Sequence, residues 1–175
     1  HPVEHSQSPF IHARFAEQTG QAMSYERLPA PLDGFARTVR EFAAGGARGC
    51  NVTVPFKFEA CALAAHRTDR AALAGTANTL RFDADGWLAD NTDGVGLVRD
   101  ITRHAGFAIG DARVLLVGAG GAAAGSLGPL LGERPAALTV VNRTPARAEY
   151  LVRRHAALAL AHGVDLAAAT LADCG

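Results

Sequence analysis

The sequence predicts an α/β protein: an N-terminal α/β unit with a mainly parallel sheet, followed by the first part of a second α/β unit. Three observations carry this. Short β-branched or aliphatic runs alternate with stretches at helical spacing along the chain. The uncharged run Val114-Leu115-Leu116-Val117 leads directly into the glycine cluster Gly118-Ala119-Gly120-Gly121, the order of a buried strand, a tight turn and a helix. Gly106 to Asp111 reads as a linker, so residues 1–105 form one domain and 106–175 the beginning of another.

Taken in order, Ser8-Pro9 opens the first helix, Ser able to cap it and Pro tolerated at its first position. Phe10, His12, Phe15 and Ala16 supply a partial helical face, and Gly20 ends it. Met23 to Leu28 reads as a short strand. Phe35, Val39, Phe42 and Ala43 fall at helical spacing, closed by Gly45-Gly46. Cys50 to Val54 is rich in β-branched residues and halted by Pro55, a buried strand. Phe56 to Ala65 is helical. Ala77 to Phe82 and Trp87 to Ala89 flank Asp83-Ala84-Asp85-Gly86, a hairpin signal. A helix follows Asp93, from about Val95 to His104. In the second unit Arg113 to Val117 is a strand, Ala122 begins a helix strained at Pro129, Leu138 to Val141 is a strand and Ala146 to Ala157 a helix. The alanine-rich tail from Ala156 to Ala169 is expected as solvent-facing helix or loop.

The 175 residues are 49% hydrophobic and 19% charged, enough apolar material for a real core. Lys+Arg and Asp+Glu balance at 17 each, so no global field recruits nucleic acid or an anionic membrane. Any affinity for phosphate must come from a local arrangement. The segment Val114 to Gly132 carries no charge, but its six glycines and Pro129 fit strand, turn and helix rather than a membrane span. Three cysteines without C-x-x-C spacing argue against a disulfide framework or zinc knuckle and fit a reducing cytoplasm. No signal peptide is visible, although the chain starts without Met.

Gly118-Ala119-Gly120-Gly121-Ala122-Ala123 satisfies G-x-G-x-x-A between a strand and a helix. Gly118 permits the tight turn, Gly120 lets a pyrophosphate approach the backbone, and Ala123 allows close helix–strand packing. A purely structural turn is the alternative. The end of the next strand separates them: where an NAD site carries an acid for the ribose 2′-hydroxyl, this chain has Asn142, then Arg143, Thr144 and, further on, Arg147. Two guanidinium groups and a hydroxyl suit a 2′-phosphate, which favours NADP over NAD. Cations at a helix N-terminus oppose its dipole, so a merely solvated basic helix start is the lesser reading.

Three segments of the first unit set polar residues beside strand ends. Ser6 and Ser8 could hold a carboxylate, or Ser8 could only cap a helix. Lys57 falls in the first turn of a helix, where its charge is disfavoured by roughly 0.3–1 kcal/mol. The same field favours its neutral form and suits a proton donor or acceptor near neutral pH. In Asp90-Asn91-Thr92-Asp93-Gly94, Asp93 could be a cap or a ligand-facing carboxylate, and the acids do not follow a calcium-loop spacing. No metal site is expected.

Together these pieces resemble the shikimate dehydrogenase family. The matches are His5 to His12, Asn51 to Lys57, Gly75 to Leu80, Asp90 to Gly96, the Gly118 to Ala122 turn, and Asn142-Arg143-Thr144, in the family's order. The resemblance implies that Ser6 and Ser8 hold the substrate carboxylate while Thr53, Asn78 and Asp93 contact ring hydroxyls. It implies Lys57 and Asp93 as the catalytic pair. Gly118, Ala119, Gly120, Gly121 and Ala122 would form the pyrophosphate loop and Asn142, Arg143, Thr144 and Arg147 the NADP clamp. The second unit is then the first part of a Rossmann-type NADP-binding domain. Gln7 stands where the family often has Lys, and Thr76 where it often has Val or Ile. The family also has a strand before the position of His1, and further strands and a returning helix with a glutamine after that of Gly175, so a fragment is expected.

The expected activity is NADPH-dependent interconversion of 3-dehydroshikimate and shikimate, a step of chorismate and aromatic amino-acid biosynthesis. The partner is that small molecule, with no nucleic acid and no membrane, and a homodimer is an open alternative. Rival readings are a quinate/shikimate dehydrogenase using NAD and a catalytically silent substrate-binding fragment. A folate-type dehydrogenase finds no support in the Ser6/Ser8 and Asp93 segments.

Overall fold

Hydrophobic patterning divides the chain between two sheets, each with its own set of buried side chains. The computed structural model describes residues 2–174. Helix α1 (Ser8–Thr19) ends where Gly20 takes the left-handed conformation at φ 65. Ser8 is not its cap. Gln7 occupies that position without a side-chain bond, and the Ser6 hydroxyl accepts the Ser8 N–H instead.

No strand forms over Met23–Leu28. A β-run needs a neighbour to satisfy its backbone, and this segment is tied down by side chains: the Tyr25 hydroxyl on Asn51 and the Arg27 guanidinium on the Ser6 carbonyl.

Helix α2 (Phe35–Ala44) buries Phe35 and Val39, and Phe35 stacks on Phe56 with ring centroids 4.6 Å apart. Strand β1 (Gly49–Asn51) is shorter than its β-branched continuation suggests, because the chain leaves the ladder after Val52. Then follow α3 (Lys57–Leu63), β2 (His66–Arg67), α4 (Asp69–Ala74), β3 (Thr79–Arg81) and β4 (Leu88–Asp90). Thr68 caps α4 by accepting the Ala71 N–H.

The order of this sheet is β1-β3-β4-β2. Only β2 and β4 run parallel; β1–β3 and β3–β4 are antiparallel. The first sheet is therefore mixed where the sequence predicts a mainly parallel one. The cause is the hairpin over Asp83–Gly86, since so short a connection can join only antiparallel neighbours.

Helix α5 (Asp93–Arg99) continues into a π-helical turn, Asp100–His104. The second sheet is wholly parallel, β5 (Arg113–Val117), β6 (Ala137–Val141) and β7 (Asp165–Ala169) in that order, connected through α6 (Gly121–Gly132) and α7 (Pro145–His162). Helix α6 runs on through Pro129. The tail is a correction: α7 extends to His162, Gly163 ends it, and residues 165–169 form a strand rather than helix or loop. Alanine is a weak strand former, so the signal for β7 lies in its pairing, with Leu166 and Ala168 beside Leu138 and Val140.

Two cores result. Phe35, Val39, Val52, Phe56, Leu80 and Ala89 form the first. Leu127, Leu131, Leu138, Val140 and Leu151 centre the second, each large aliphatic side chain contributing about 1.5–3 kcal/mol by burial. Ala74 of α4 and Val98 of α5 belong to the second core although they precede residue 105. The units meet where α5 crosses α6, at glycines: a Cβ on Gly94 would stand 2.5 Å from the Gly125 carbonyl oxygen, and one on Gly125 2.6 Å from both amide atoms of Asn91.

Gly94→Ala is accordingly expected to destabilise by about 1–3 kcal/mol through overpacking, lowering the thermal midpoint by several degrees. Gly96→Ala, in the same helix with nothing within 4 Å of its Cβ, serves as the contrast and should be neutral or stabilising. Circular-dichroism melts compare the two; equal melts would show that the crossing is not tightly packed.

Candidate active site

Lys57 opens α3 and Asp93 opens α5, so two helix N-termini converge. The dipole of α3 opposes a cation there, while that of α5 favours a carboxylate. The conflict at Lys57 is resolved by pairing: its Nζ donates to Asp93 Oδ2 at 2.5 Å, with side chains only 14% and 23% exposed. Asp93 Oδ1 accepts from Asn78 Nδ2 at 2.9 Å. The Asn78 oxygen accepts the Thr92 N–H at 3.0 Å and the Thr79 hydroxyl at 3.0 Å, which leaves its amide one orientation.

Beneath this pair lies a buried brace. Asn91 and Thr76 are fully buried. Asn91 Nδ2 donates to the Thr76 carbonyl and hydroxyl, and Asn91 Oδ1 accepts the Asp93 N–H. The Thr76 hydroxyl donates in turn to the Gly121 carbonyl at 3.4 Å. The Thr that departs from the family's frequent Val or Ile thus bridges the two units.

The glycine turn faces the pair. Gly118 has φ 114, closed to most L-residues, and its N–H reaches the Val141 carbonyl at 2.7 Å. Gly120 precedes α6, whose first N–H groups lack intrahelical partners. A Cβ on Gly121 would lie 3.1 Å from Lys57 Cβ, so the helix start and the lysine stem are in contact. Ala119 is buried, Ala122 exposed and Ala123 packed into the second core.

Asn142, Arg143 and Thr144 follow β6 beside this turn, and Asn142 Nδ2 donates to the Thr144 carbonyl at 3.0 Å. Arg143, Thr144 and Arg147 are exposed, and neither arginine has a carboxylate within 4 Å among the described residues.

Ser6 and Ser8 converge as well, hydroxyl to hydroxyl at 3.1 Å. A separate chain of bonds leads from Tyr25 to the pair. Tyr25 donates to Asn51 Oδ1 at 2.7 Å. Asn51 Nδ2 donates to the Thr79 hydroxyl at 3.3 Å, and Thr79 leads through Asn78 to Asp93. Thr53 lies two residues beyond Asn51 on the exposed turn before α3 and makes no side-chain hydrogen bond among the described residues. The roles of Tyr25, Asn51, Thr79 and Asn91 do not stand out from sequence. Tyr25 carries no signal in a segment that reads as a strand, whereas the alternation of Asn51 with Thr53 could have marked both.

A cavity of about 480 Å³ lies elsewhere, among α4, α5, α6 and α7, and is lined by none of the expected site residues. Burial pushes the Cys50 thiol up to about 11, so it stays protonated and is no nucleophile at neutral pH. Among the described residues, no three His, Cys, Asp or Glu side chains are grouped to hold a metal, and no helix is long and apolar enough to cross a membrane.

Known proteins share this fold. The model of the shikimate dehydrogenase substrate binding domain matches residues 1–80, and that of shikimate / quinate 5-dehydrogenase matches residues 100–173. A shikimate dehydrogenase (NADP(+)) from Methylibium petroleiphilum is 70% identical over 181 residues, covering 100% of this chain and 62% of that protein. An Ael1 enzyme from Pseudomonas putida superposes with a TM-score of 0.85 at 39% identity, over 98% of this chain and 61% of the other. Shikimate 5-dehydrogenase from Thermus thermophilus, solved with NADP(H) and shikimate, gives 0.79 at 30% identity, over 95% and 59%. The chain spans about three-fifths of the length of these relatives.

The end of β4 that delivers Asn91 to Asp93 is anchored by Asp90, which accepts from Thr68, from the Asn91 N–H and from Arg70 twice. The Arg70 hydrogen bonds, outweighing desolvation, hold its carboxyl below the ordinary value. The unfolded chain therefore takes up the proton first as pH falls. Stability from this group is full above about pH 4 and is lost as pH drops through the depressed folded value. Asp90→Asn should lower the urea midpoint at pH 6, with the gap from the parent closing toward pH 3; a gap constant with pH would show that the ionised form is not what the brace needs.

Proposed function

The chain belongs to the shikimate dehydrogenase family, and from that premise we propose that it binds shikimate and NADP in an enzyme that interconverts 3-dehydroshikimate and shikimate. The observation that carries the proposal is the Lys57–Asp93 pair lying against Gly121 at the mouth of the glycine turn. A proton donor and a dinucleotide-type turn are thereby adjacent, as carbonyl reduction requires.

In this reading Ser6 and Ser8 take the substrate carboxylate, and Thr53, Asn78 and Asp93 take ring hydroxyls. Residues 1–105 serve the substrate and 106–175 the dinucleotide. The residues present fit NADP: free N–H groups at the start of α6 suit the pyrophosphate, and Asn142, Arg143, Thr144 and Arg147 offer donors to a 2′-phosphate with no acid among them. The nicotinamide, when bound, supplies or takes up hydride. In the reducing direction Lys57 gives its proton to the carbonyl oxygen as that oxygen becomes a hydroxyl; in the other direction it takes the proton back. Asp93 holds the ammonium in line, and Asn78 fixes Asp93. Chemistry on these small molecules, a balanced charge and unpaired Cys50 and Cys61 support a cytoplasmic enzyme of aromatic biosynthesis.

Lys57→Met should lower turnover about 10²- to 10⁴-fold while shikimate affinity, followed by calorimetry, falls far less. Turnover surviving within about tenfold would remove Lys57 from proton transfer.

Arg143→Ala combined with Arg147→Ala should weaken NADP roughly 10- to 100-fold and leave NAD within about threefold, because only the 2′-phosphate loses its charged partners. A parallel loss for both cofactors would assign the arginines to the shared pyrophosphate.

A further inference from the structure

We infer that Arg154 is a positioning residue: it fastens the helix that opens on the proposed NADP clamp to the segment that carries Asn78 into the cleft. The inference rests on the shikimate- and NADP-binding reading above. Helix α4 stops at Gly75, which is left-handed at φ 67 and gives its N–H to the Ala71 carbonyl. The two carbonyls that follow, of Ala72 and Leu73, thereby lose their intrahelical donors. Arg154 of α7 supplies both: Nη2 donates to Ala72 and Nε to Leu73, each at 2.5 Å. Its Nη1 donates at 3.2 Å to the hydroxyl oxygen of Tyr150, one turn back on α7, which steadies the fork. A Cβ on Gly75 would stand 3.3 Å from the guanidinium carbon, so the glycine also makes room for the guanidinium plane. No carboxylate pairs with Arg154 among the described residues, and the helix end it meets is the one that favours a cation.

What the bonds join gives Arg154 its role. Arg147 lies two turns before it on the same face of α7. The face that carries Arg147 toward the proposed 2′-phosphate therefore continues to the grip on α4. From Gly75 the chain runs at once into Thr76, bonded to the Gly121 carbonyl of α6, and on to Asn78, bonded to Asp93. One tie alone would be a pivot. Ties to α6 through Thr76 and to α7 through Arg154 fix the direction in which this segment enters the cleft. Arg154 is exposed, so little of the global stability depends on it. Its effect falls on the angle between the two units. Shikimate alone and NADP alone each engage mainly one unit and tolerate a change of angle, whereas the two together have to meet across it. A chain already held at the working angle has met that ordering cost, and one that rocks meets it only when the second ligand binds.

The test is Arg154→Met, which keeps an aliphatic stem and removes the fork. Calorimetry should show shikimate alone and NADP alone binding within about twofold of the parent, with the thermal midpoint lowered by no more than a few degrees. Shikimate titrated into the NADP-saturated variant should bind roughly tenfold more weakly than into the NADP-saturated parent. Arg154→Lys, whose ammonium serves one carbonyl at a time, should recover part of that loss. Shikimate affinity within about twofold of the parent in the NADP-saturated Arg154→Met protein would reduce Arg154 to a surface cap of α4. An equal loss for the single ligands and for the ternary complex would make it a strut of the fold and overturn the inference. A parent chain that binds no shikimate, with or without NADP, would overturn the underlying reading, and this inference with it.

Discussion

Two helix N-termini that would repel a shared cation are joined by one ion pair, and the rest of the cleft is arranged around it. Lys57 can stand at the start of α3 because Asp93 stands at the start of α5, so each helix supplies what the other's dipole disfavours or demands. Partial burial strengthens their attraction, and Asn78 occupies the remaining Asp93 oxygen. The pair is an electrostatic necessity of the backbone, independent of the chemistry proposed for it.

That geometry holds only if α6 approaches closely, which side chains larger than hydrogen would prevent. Gly94 and Gly125 let α5 and α6 touch, and Gly121 brings the start of α6 onto the stem of Lys57. Asn91 and Thr76, both without solvent contact, convert this apolar crossing into a directional one, since each amide and hydroxyl has a partner that specifies the register. Close approach and polar specification are complementary here: glycine permits the distance and the buried amide fixes it.

Much of this is legible in the residues, for identifiable reasons. The turn at Gly118, strands β5 and β6, the hairpin at Asp83–Gly86 and the starts of α3 and α5 depend on local rules, namely backbone freedom, aliphatic runs and helix-end chemistry. What stays hidden depends on partners distant in sequence. Strand β7 is built of alanines and exists because β6 offers a ladder; Met23–Leu28 looks like a strand and is none because no ladder is offered. The mixed first sheet follows from which strands the hairpin makes adjacent. At the cleft, Lys57 and Asp93 stand out because their positions on helices are chemically conspicuous, whereas Tyr25 becomes visible only through Asn51, distant from it in the chain. Ser8 reads as a cap because a Ser-Pro pair before a helix is usually one, and here Ser6 accepts the N–H in its place.

Helix α5 has a double allegiance. Its first residue, Asp93, completes the ion pair, while Val98, a turn and a half along, is packed among the side chains of the second core. The crank that joins the two halves is therefore a piece of both. Any swing of the second sheet has to carry α5 along, and the carboxylate at its tip moves with it. The alignment of Lys57 is in this way geared to the angle between the sheets, so a cleft that gapes also pulls its ion pair apart.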